Sequence, residues 1–292
     1  MKVDWLSDQN IFGSGSGAEA NDRGMVEFGL SKGVDIKLVN PYGFIRPDAL
    51  CIISNYMYFP DDAIEQALSK GAVFFLHDYV FCRWRLFYPG TEKCIQNCER
   101  AKKHFGWYQR AKGLIFLSPL HQSVHYKQFG IELAKIPLAV IPSAIKVDDF
   151  GLGNRGFASP KNSYLSVNTL LPFKGRTLLL NFINSHPDDL FTIVGHNPDA
   201  TPLSKNVTFL GPQATYRMPN LYRSHRYYVE LPDTPQPFNR TVCEGRLAGC
   251  ELVVNNLVGA ASYPWFKEGV EAVASQIRKA PSAFWEFIKK EV

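Results

Sequence analysis

The chain has 292 residues and a modest formal charge of +5, and its 46% hydrophobic and 20% charged residues exclude an intrinsically disordered protein. This length allows one large domain or two of about 150 residues each. Because no run approaches the roughly 20 apolar residues of a membrane span and the amino terminus lacks a signal-peptide pattern, we expect a cytoplasmic protein without a transmembrane segment.

Strand-like and helix-like segments alternate in the first half of the chain. After a glycine-rich run at 13–17, the spacing of apolar residues predicts a helix that Gly33 ends, and a second helix is expected at 61–69. The expected strands are the short apolar runs at 34–39, 50–54, 72–76, 113–117 and 139–142. Because these strands are apolar on both faces and separated by helices, they indicate a parallel sheet with helices on each side.

The same alternation restarts after a stretch at 154–162 whose Gly, Ser, Pro and Asn residues are typical of a linker. The expected strands are at 163–167, 190–194, 207–210, 227–231 and 252–254, and the expected helices at 176–184 and 242–247. A tail helix is predicted at 268–290, with Pro281 interrupting it. The prediction is two doubly wound α/β domains at 1–150 and 151–265 and a helical tail at 266–292, with ligand in the crevice where strand carboxyl ends face each other.

Seven segments resemble the GT-B glycosyltransferases, in particular the retaining family commonly called family four. The segments follow the order of that family and are distributed over nearly the entire chain. They are GSGSGAEANDRGMVEFGLSKGVDIKLV, GAVFFLHDY, AKGLIFLSPLHQSV, AVIPSAIKVDDF, SYLSVNTLLPFKGRTLLLNFI, NVTFLGP and QPFNRTVCEGRLAGCELVVN. The resemblance implies two Rossmann-like domains, a donor cleft between them and a C-terminal helix that packs back on the first domain. It also implies an enzyme that transfers a sugar from a UDP- or GDP-type nucleotide diphosphate sugar.

Breaking a sugar–nucleotide bond releases a diphosphate, so fixed hydrogen-bond donors facing the growing charge lower the barrier. Lys174, on the turn into a helix, is the expected cation, and the helix start at Arg240 and Thr241 is a second anion site. Glu244 is expected to accept hydrogen bonds from the ribose hydroxyls. A surface lysine and an exposed helix glutamate are the alternative interpretations. The other donor-site residues expected from the resemblance are Gly15, Gly17, Asn168, Thr169, Gly211, Phe238 and Asn239.

His77 and Asp78 end a buried strand, so their side chains point to opposite faces. The resemblance implies that His77 contacts the donor sugar, while Asp78 lines the acceptor side or orients a neighbour; a purely structural histidine is the alternative. Since no Asp-x-Asp motif occurs, the lysine and the helix dipole are expected to replace a divalent ion, and no cofactor is required.

Three positions depart from the family pattern. Gln236 replaces the first glutamate of Glu-(seven residues)-Glu, and an amide cannot stabilise positive charge on the anomeric carbon. Asn168-Thr169 stands where the family has Gly-Arg, and Asn239 where a glycine is usual. Arg176 and Arg240 are the candidates for the missing second cation. The alternative function is therefore a catalytically impaired relative that binds a nucleotide or a nucleic acid.

The positive charge is concentrated at 79–127, a stretch that contains nine Lys or Arg residues and only two Glu residues. Cations alternate with aromatic rings at 83–88 and 102–108, which suits an anionic acceptor: a nucleic-acid base, or a phosphorylated lipid or saccharide. The alternative is an ordinary solvated helix whose aromatic residues pack inward. Peripheral membrane association through Trp265, Phe266 and the tail helix is a further possibility. The sequence predicts no oligomeric state.

Six cysteines at irregular spacing do not form a secreted disulfide framework. Cys82, Cys94 and Cys98 follow the His-Asp strand, and together with His104 they would be the ligands of a structural zinc ion. Reduced, partly buried thiols are the interpretation that we favour over this metal site.

Overall fold

The computed structural model describes residues 1–13, 16–85, 98–154 and 160–291, and these form two compact units. The first unit comprises residues 1–145 and 279–291 within these ranges, and the second comprises residues 146–278. None of the helices in the described ranges is both long and apolar enough to cross a bilayer.

The first unit is built on a six-stranded parallel sheet in the order β2-β1-β3-β4-β5-β6. Its strands are β1 (Lys2–Leu6), β2 (Asp35–Val39), β3 (Leu50–Ile53), β4 (Ala72–Phe75), β5 (Gly113–Phe116) and β6 (Leu138–Val140). Its helices are α1 (Gly17–Ser31), α2 (Asp61–Ser69), α3 (Glu99–Arg110) and α4 (Pro119–Phe129). All residues of β3, β4 and β5 are buried. The apolar runs in the sequence predicted this, since such runs are typical of strands that are covered on both faces.

The second unit is built on a five-stranded parallel sheet in the order β11-β10-β7-β8-β9. Its strands are β7 (Ser163–Val167), β8 (Leu190–Val194), β9 (Val207–Gly211), β10 (Tyr227–Glu230) and β11 (Glu251–Val254). Its helices are α5 (Arg176–Asn184), α6 (Met218–Arg223) and α7 (Arg240–Leu247). Leu165, Ile193 and Val229 of the three central strands are fully buried, so this unit has a core of its own.

The last helix, α8 (Val270–Glu291), is continuous through Pro281, and the predicted interruption there was wrong. A proline inside a helix removes one backbone donor, but tertiary packing keeps the helix intact when its buried face continues on both sides. Here Ile277 precedes the proline and Phe284 follows it, and both are buried.

The end of α8 belongs to the first unit, which confirms the predicted return of the C-terminal helix. Trp285 Nε1 donates to the carbonyl oxygen of Met25 in α1 over 2.8 Å. The Trp285 ring lies so close to Gly29 that a Cβ there would be 2.3 Å from it. Phe284 packs on Trp5 of β1 with ring centroids 5.6 Å apart. The apolar side chains at the end of the tail helix are therefore buried in the first unit.

Candidate functional site

Lys174 lies after β7, on a short 3₁₀ turn that Gly175 closes. Gly175 has a left-handed φ of 77°, and a Cβ at this position would lie 1.9 Å from the carbonyl oxygen of Leu231. Only glycine lets the turn approach the end of β10 this closely. Lys174 is thereby held beside the segment that follows β10.

Lys174 and Gln236, each predicted as a catalytic residue, lie together. Lys174 Nζ is 3.4 Å from Gln236 Oε1, and Gln236 Nε2 donates to the carbonyl oxygen of Thr234 over 3.3 Å. The backbone of Gln236 is fixed by a 2.8 Å hydrogen bond to the carbonyl oxygen of Leu257. Since the amide nitrogen bonds to Thr234, the amide oxygen faces the ammonium group.

A buried carboxylate, Glu230, joins this group and was not predicted from the sequence. It is the last residue of β10 and is 3% exposed. Its Oε1 accepts a 3.4 Å hydrogen bond from Asn168 Nδ2, and a second bond comes from the side chain of Asn239. Burial raises the pKa of Glu230 to about 7, although Lys174 and the bond from Asn239 act to lower it. The one sequence signal was a charged residue within an apolar strand.

Asn168 and Gly211, both predicted donor-site residues, are linked through Gly195. Asn168 Nδ2 donates to the carbonyl oxygen of Lys174 over 2.9 Å, and a Cβ at Gly195 would lie 2.1 Å from the Asn168 carbonyl oxygen. The backbone N–H of Gly195 donates to Gly211 over 3.1 Å. Thr169 follows Asn168, and its carbonyl oxygen accepts from the backbone N–H of Leu171 over 2.7 Å.

The start of α7 also lies at this edge of the sheet. Asn239 has a left-handed φ of 67°, which explains its place where a glycine is usual, since asparagine tolerates this conformation best among the other residues. Its side chain makes no capping bond to α7, because its Oδ1 accepts from Thr241 Oγ1 over 2.8 Å. The first-turn N–H groups therefore carry the positive end of the helix dipole without a capping side chain from Asn239. Phe238, just before, is buried.

Glu244 is buried rather than an exposed helix glutamate. Its Oε1 accepts from Arg240 Nε over 2.7 Å and its Oε2 accepts from the Tyr222 hydroxyl over 3.0 Å. Each carboxylate oxygen can accept a second hydrogen bond. Arg240 is thus paired with Glu244. Arg176, the other candidate for a second phosphate cation, pairs with Asp199.

In the first unit, His77 and Asp78 follow β4 and line a cavity of about 290 Å³. His77 Nε2 lies 2.7 Å from Oδ1 of Asp22, a fully buried carboxylate that also accepts bonds from Ser54 and Asn55. Because the carboxylate accepts, Nε2 donates the proton of this hydrogen bond, and Nδ1 is the other nitrogen of the ring. That atom is buried without a hydrogen-bond partner among residues 1–13, 16–85, 98–154 and 160–291.

Asp78 forms an ion pair with Arg85, and both side chains line the cavity. Asp78 Oδ1 also accepts from the backbone N–H of Tyr79 over 2.8 Å. Gly17 is the first residue of α1, next to the cavity-lining Ser16, whereas Gly15 lies outside the described residues. The other polar lining includes Asp8, Gln9, Glu19, Ser54, Asn55 and Tyr58.

The aromatic residues predicted to alternate with cations at 102–108 point into the core. Trp107 and Tyr108 of α3 are 4% and 0% exposed, so this helix offers no stacking platform from these rings and the alternative interpretation is correct for it. Lys103 pairs with Asp61 over 2.7 Å and Arg110 with Glu65 over 2.8 Å, both on α2. The excess positive charge of this stretch is therefore partly neutralised by acids that precede it in the chain.

The proposed zinc ligands do not assemble in the part of the chain that the structure describes. His104 Nδ1 lies 3.2 Å from the Tyr56 hydroxyl, and burial lowers the pKa of His104 to about 3. Cys82 is buried beside the aromatic ring of Phe81, and Cys94 falls outside the described residues. Within those residues, no group of three or more His, Cys, Asp or Glu is arranged to hold a metal ion.

No protein-family model and no curated protein matches the chain. Solved structures do match over their full lengths. HepE of Anabaena, in complex with UDP and glucose, is 14% identical with a TM-score of 0.66, covering 99% of this chain and 100% of that chain. The trehalose-6-phosphate synthase OtsA is 11% identical with a TM-score of 0.64, covering 100% and 96%.

A third match is an α-glucosyltransferase in complex with UDP and a 13-mer DNA containing a central A:G mismatch. It is 10% identical with a TM-score of 0.55, covering 100% of this chain and 93% of that chain. At such identities the likeness shows the fold. The chain has the GT-B fold of two Rossmann-like α/β domains, as the sequence predicted.

Proposed function

We propose that the chain is a glycosyltransferase that moves a sugar from a nucleotide diphosphate sugar to an acceptor hydroxyl. The observation that carries this proposal is the grouping of Lys174, Gln236 and the start of α7 at the carboxyl edge of the second sheet. Parallel α/β sheets bind their ligands at this edge. Because HepE and the α-glucosyltransferase were both solved with UDP, we take UDP rather than GDP as the donor nucleotide.

In the proposed reaction, the bond between the anomeric carbon and the diphosphate oxygen breaks and its electron pair stays on that oxygen. The Lys174 ammonium and the first-turn N–H groups of α7 stabilise the departing charge, which replaces the role of a divalent ion. Glu244 holds the ribose hydroxyls. The acceptor oxygen forms the new bond to the anomeric carbon, and its proton passes to the departing diphosphate oxygen, so that the glycoside and UDP are the products. Retention of configuration is what the family resemblance implies.

The acceptor is proposed to bind at the cavity that contains His77 and Asp78. Its lining includes the carboxylates Asp8, Glu19 and Asp78, while Arg85 is already paired with Asp78. Carboxylates accept hydrogen bonds from hydroxyl groups and repel anions, so this lining favours a saccharide.

An anionic acceptor, such as a nucleic acid bound through residues 79–127, is the competing candidate. It is favoured by Trp84, which is 53% exposed and has the Arg83 guanidinium 5.4 Å from its ring centre. An exposed ring beside cations suits base stacking. Acceptance of sugar by single-stranded DNA, weakening steeply with salt, would favour this candidate over the saccharide.

The test is release of UDP from a panel of UDP-sugars and GDP-sugars, with saccharide and oligonucleotide acceptors. We expect Lys174→Ala to lower turnover by about 10²- to 10³-fold, the usual cost of removing one donor to a developing anion. Lys205→Ala, at an exposed lysine of the same unit, is the matched control and should retain full turnover. Equal turnover of the two variants would overturn the role of Lys174. UDP binding with no turnover for any sugar would leave only the impaired nucleotide-binding relative.

A further inference from the structure

The donor site contains a carboxylate that is not fully satisfied. Glu230 is 3% exposed, yet its Oε2 has no hydrogen-bond partner within the described ranges. Its Oε1 accepts a long bond of 3.4 Å from Asn168, and the side chain of Asn239 supplies one further hydrogen bond to the carboxylate. A buried ionised carboxylate is costly unless hydrogen bonds and a counter-charge compensate it. Glu230 is therefore poised to change its protonation state when the charge around it changes.

The charged and titratable groups that act on Glu230 are few. Lys174, from the turn before α5, supplies a positive charge that favours the ionised form. Tyr228 lies on the same strand. The pKa of its hydroxyl is raised mainly by burial and, to a smaller extent, by the charge of Glu230. Asn239, before α7, is a neutral donor, and Val254, opposite on β11, is apolar. On α7, Arg240 and Glu244 form an ion pair with each other.

We propose that Glu230 is a positioning residue that takes up a proton when a nucleoside diphosphate binds, so that Lys174 can turn its charge to the diphosphate. When ionised, Glu230 competes with the diphosphate for the ammonium group and repels the incoming anion. When protonated, it does neither. The proton comes from bulk water and adds to a carboxylate oxygen of Glu230, and no other bond changes. This inference rests on the proposed donor site.

One property of Glu230 and one effect of the bound diphosphate make the coupling effective at neutral pH. Burial already raises the pKa of Glu230 to about 7, so the free protein contains both forms under ordinary conditions. A diphosphate beside Lys174 adds negative charge and engages the one counter-charge named above, and both changes raise the pKa of a carboxyl group. Binding should therefore convert the ionised fraction into the protonated form.

The experiment is calorimetric titration of UDP into the full chain at pH 7.5, in two buffers with different ionisation enthalpies. We expect the wild type to take up roughly three-quarters of a proton per UDP, because that fraction of a group with a pKa near 7 is ionised at this pH. Glu230→Gln, an uncharged analogue of the protonated form, should take up none through this site. Both proteins bind the same UDP, so protonation of the nucleotide itself cancels in the comparison.

The pH dependence supplies a second measurement. Between pH 7.5 and 8.5 the dissociation constant of the wild type should rise by up to about tenfold, while that of Glu230→Gln stays constant. The variant should then bind UDP more tightly than the wild type at pH 8.5. Equal proton uptake and equal pH slopes in the two proteins would overturn the inference.

The wild type alone provides a test that does not depend on the variant folding. Infrared difference spectra recorded on adding UDP at pH 8 should gain the carbonyl band of a protonated carboxyl group, and binding without that band would contradict the inference. Absence of UDP binding at any pH from 6 to 9 would overturn the proposed donor site together with it. Binding without proton uptake would overturn this inference alone.

Discussion

The position of Lys174 depends on a neighbour that has no side chain. Gly175 adopts a left-handed φ of 77°, and its Cα faces the carbonyl oxygen of Leu231 so closely that a Cβ would be 1.9 Å away. An added methyl group could be accommodated only by moving the turn or the end of β10. The ammonium group proposed to meet the diphosphate is therefore fixed by backbone geometry.

Gly175→Ala should consequently affect both stability and function. We expect a loss of about 2–4 kcal/mol, from left-handed strain and from the clash with Leu231, and weaker UDP binding because Lys174 is displaced. The measurements are the unfolding midpoint and the dissociation constant of UDP. Gly33→Ala is the matched control, because Gly33 has φ of 75° with open space around it, and should lose only about 1 kcal/mol. Equal losses in the two variants would show that the contact with Leu231 is unimportant.

Helix α8 shows how packing overrides a local signal. Pro281 lacks the backbone N–H that an interior helical position needs, yet the helix runs from Val270 to Glu291. The buried residues Ile277, Phe284 and Trp285 flank the proline. Their burial keeps the helix in place despite the missing hydrogen bond.

Replacing Pro281 tests how much this proline lowers the stability of the folded protein. Pro281→Ala should stabilise the protein by about 1–2 kcal/mol, since it restores a backbone donor and removes a steric clash, partly offset by a more flexible unfolded chain. Thermal unfolding of the variant beside the wild type provides the measurement. A lower unfolding temperature would mean that the proline itself stabilises the folded protein.

The whole molecule combines buried groups whose titrations oppose one another. Burial lowers the pKa of His104 to about 3 and that of His125 to about 4, and it lowers the pKa of His121 well below the ordinary value. These histidines stay neutral when folded but charge below about pH 6.5 when unfolded, so their stabilising contribution falls as pH falls through that value. Glu230 holds its proton up to about pH 7 when folded, so its contribution falls as pH rises from about 4.5 to 7.

The three histidines outnumber the single glutamate, so acidification should destabilise the protein. Between pH 6.5 and 5 the free energy of unfolding should fall by about 2–3 kcal/mol per pH unit, which corresponds to a net uptake of about two protons on unfolding. Denaturant unfolding at a series of pH values measures this slope directly. A stability that is constant over this range would show that the histidines titrate normally in the folded protein.

Local patterns predicted much of the structure. The expected strands at 163–167 and 190–194 coincide with β7 and β8, and the helices at 61–69 and 176–184 with α2 and α5. The opening segment was not predicted as a strand, yet it is β1, which lies between β2 and β3 in the first sheet.

By itself, the sequence determined the two α/β units, because the alternation of strands and helices follows from neighbours along the chain. Only the tertiary structure decided which charges are buried or paired. Glu230 becomes an interior carboxylate, and the cations of α3 meet acids on α2, because those contacts join residues far apart in sequence. Burial and pairing set the energy of a charge, and both depend on the folded surroundings rather than on adjacent residues.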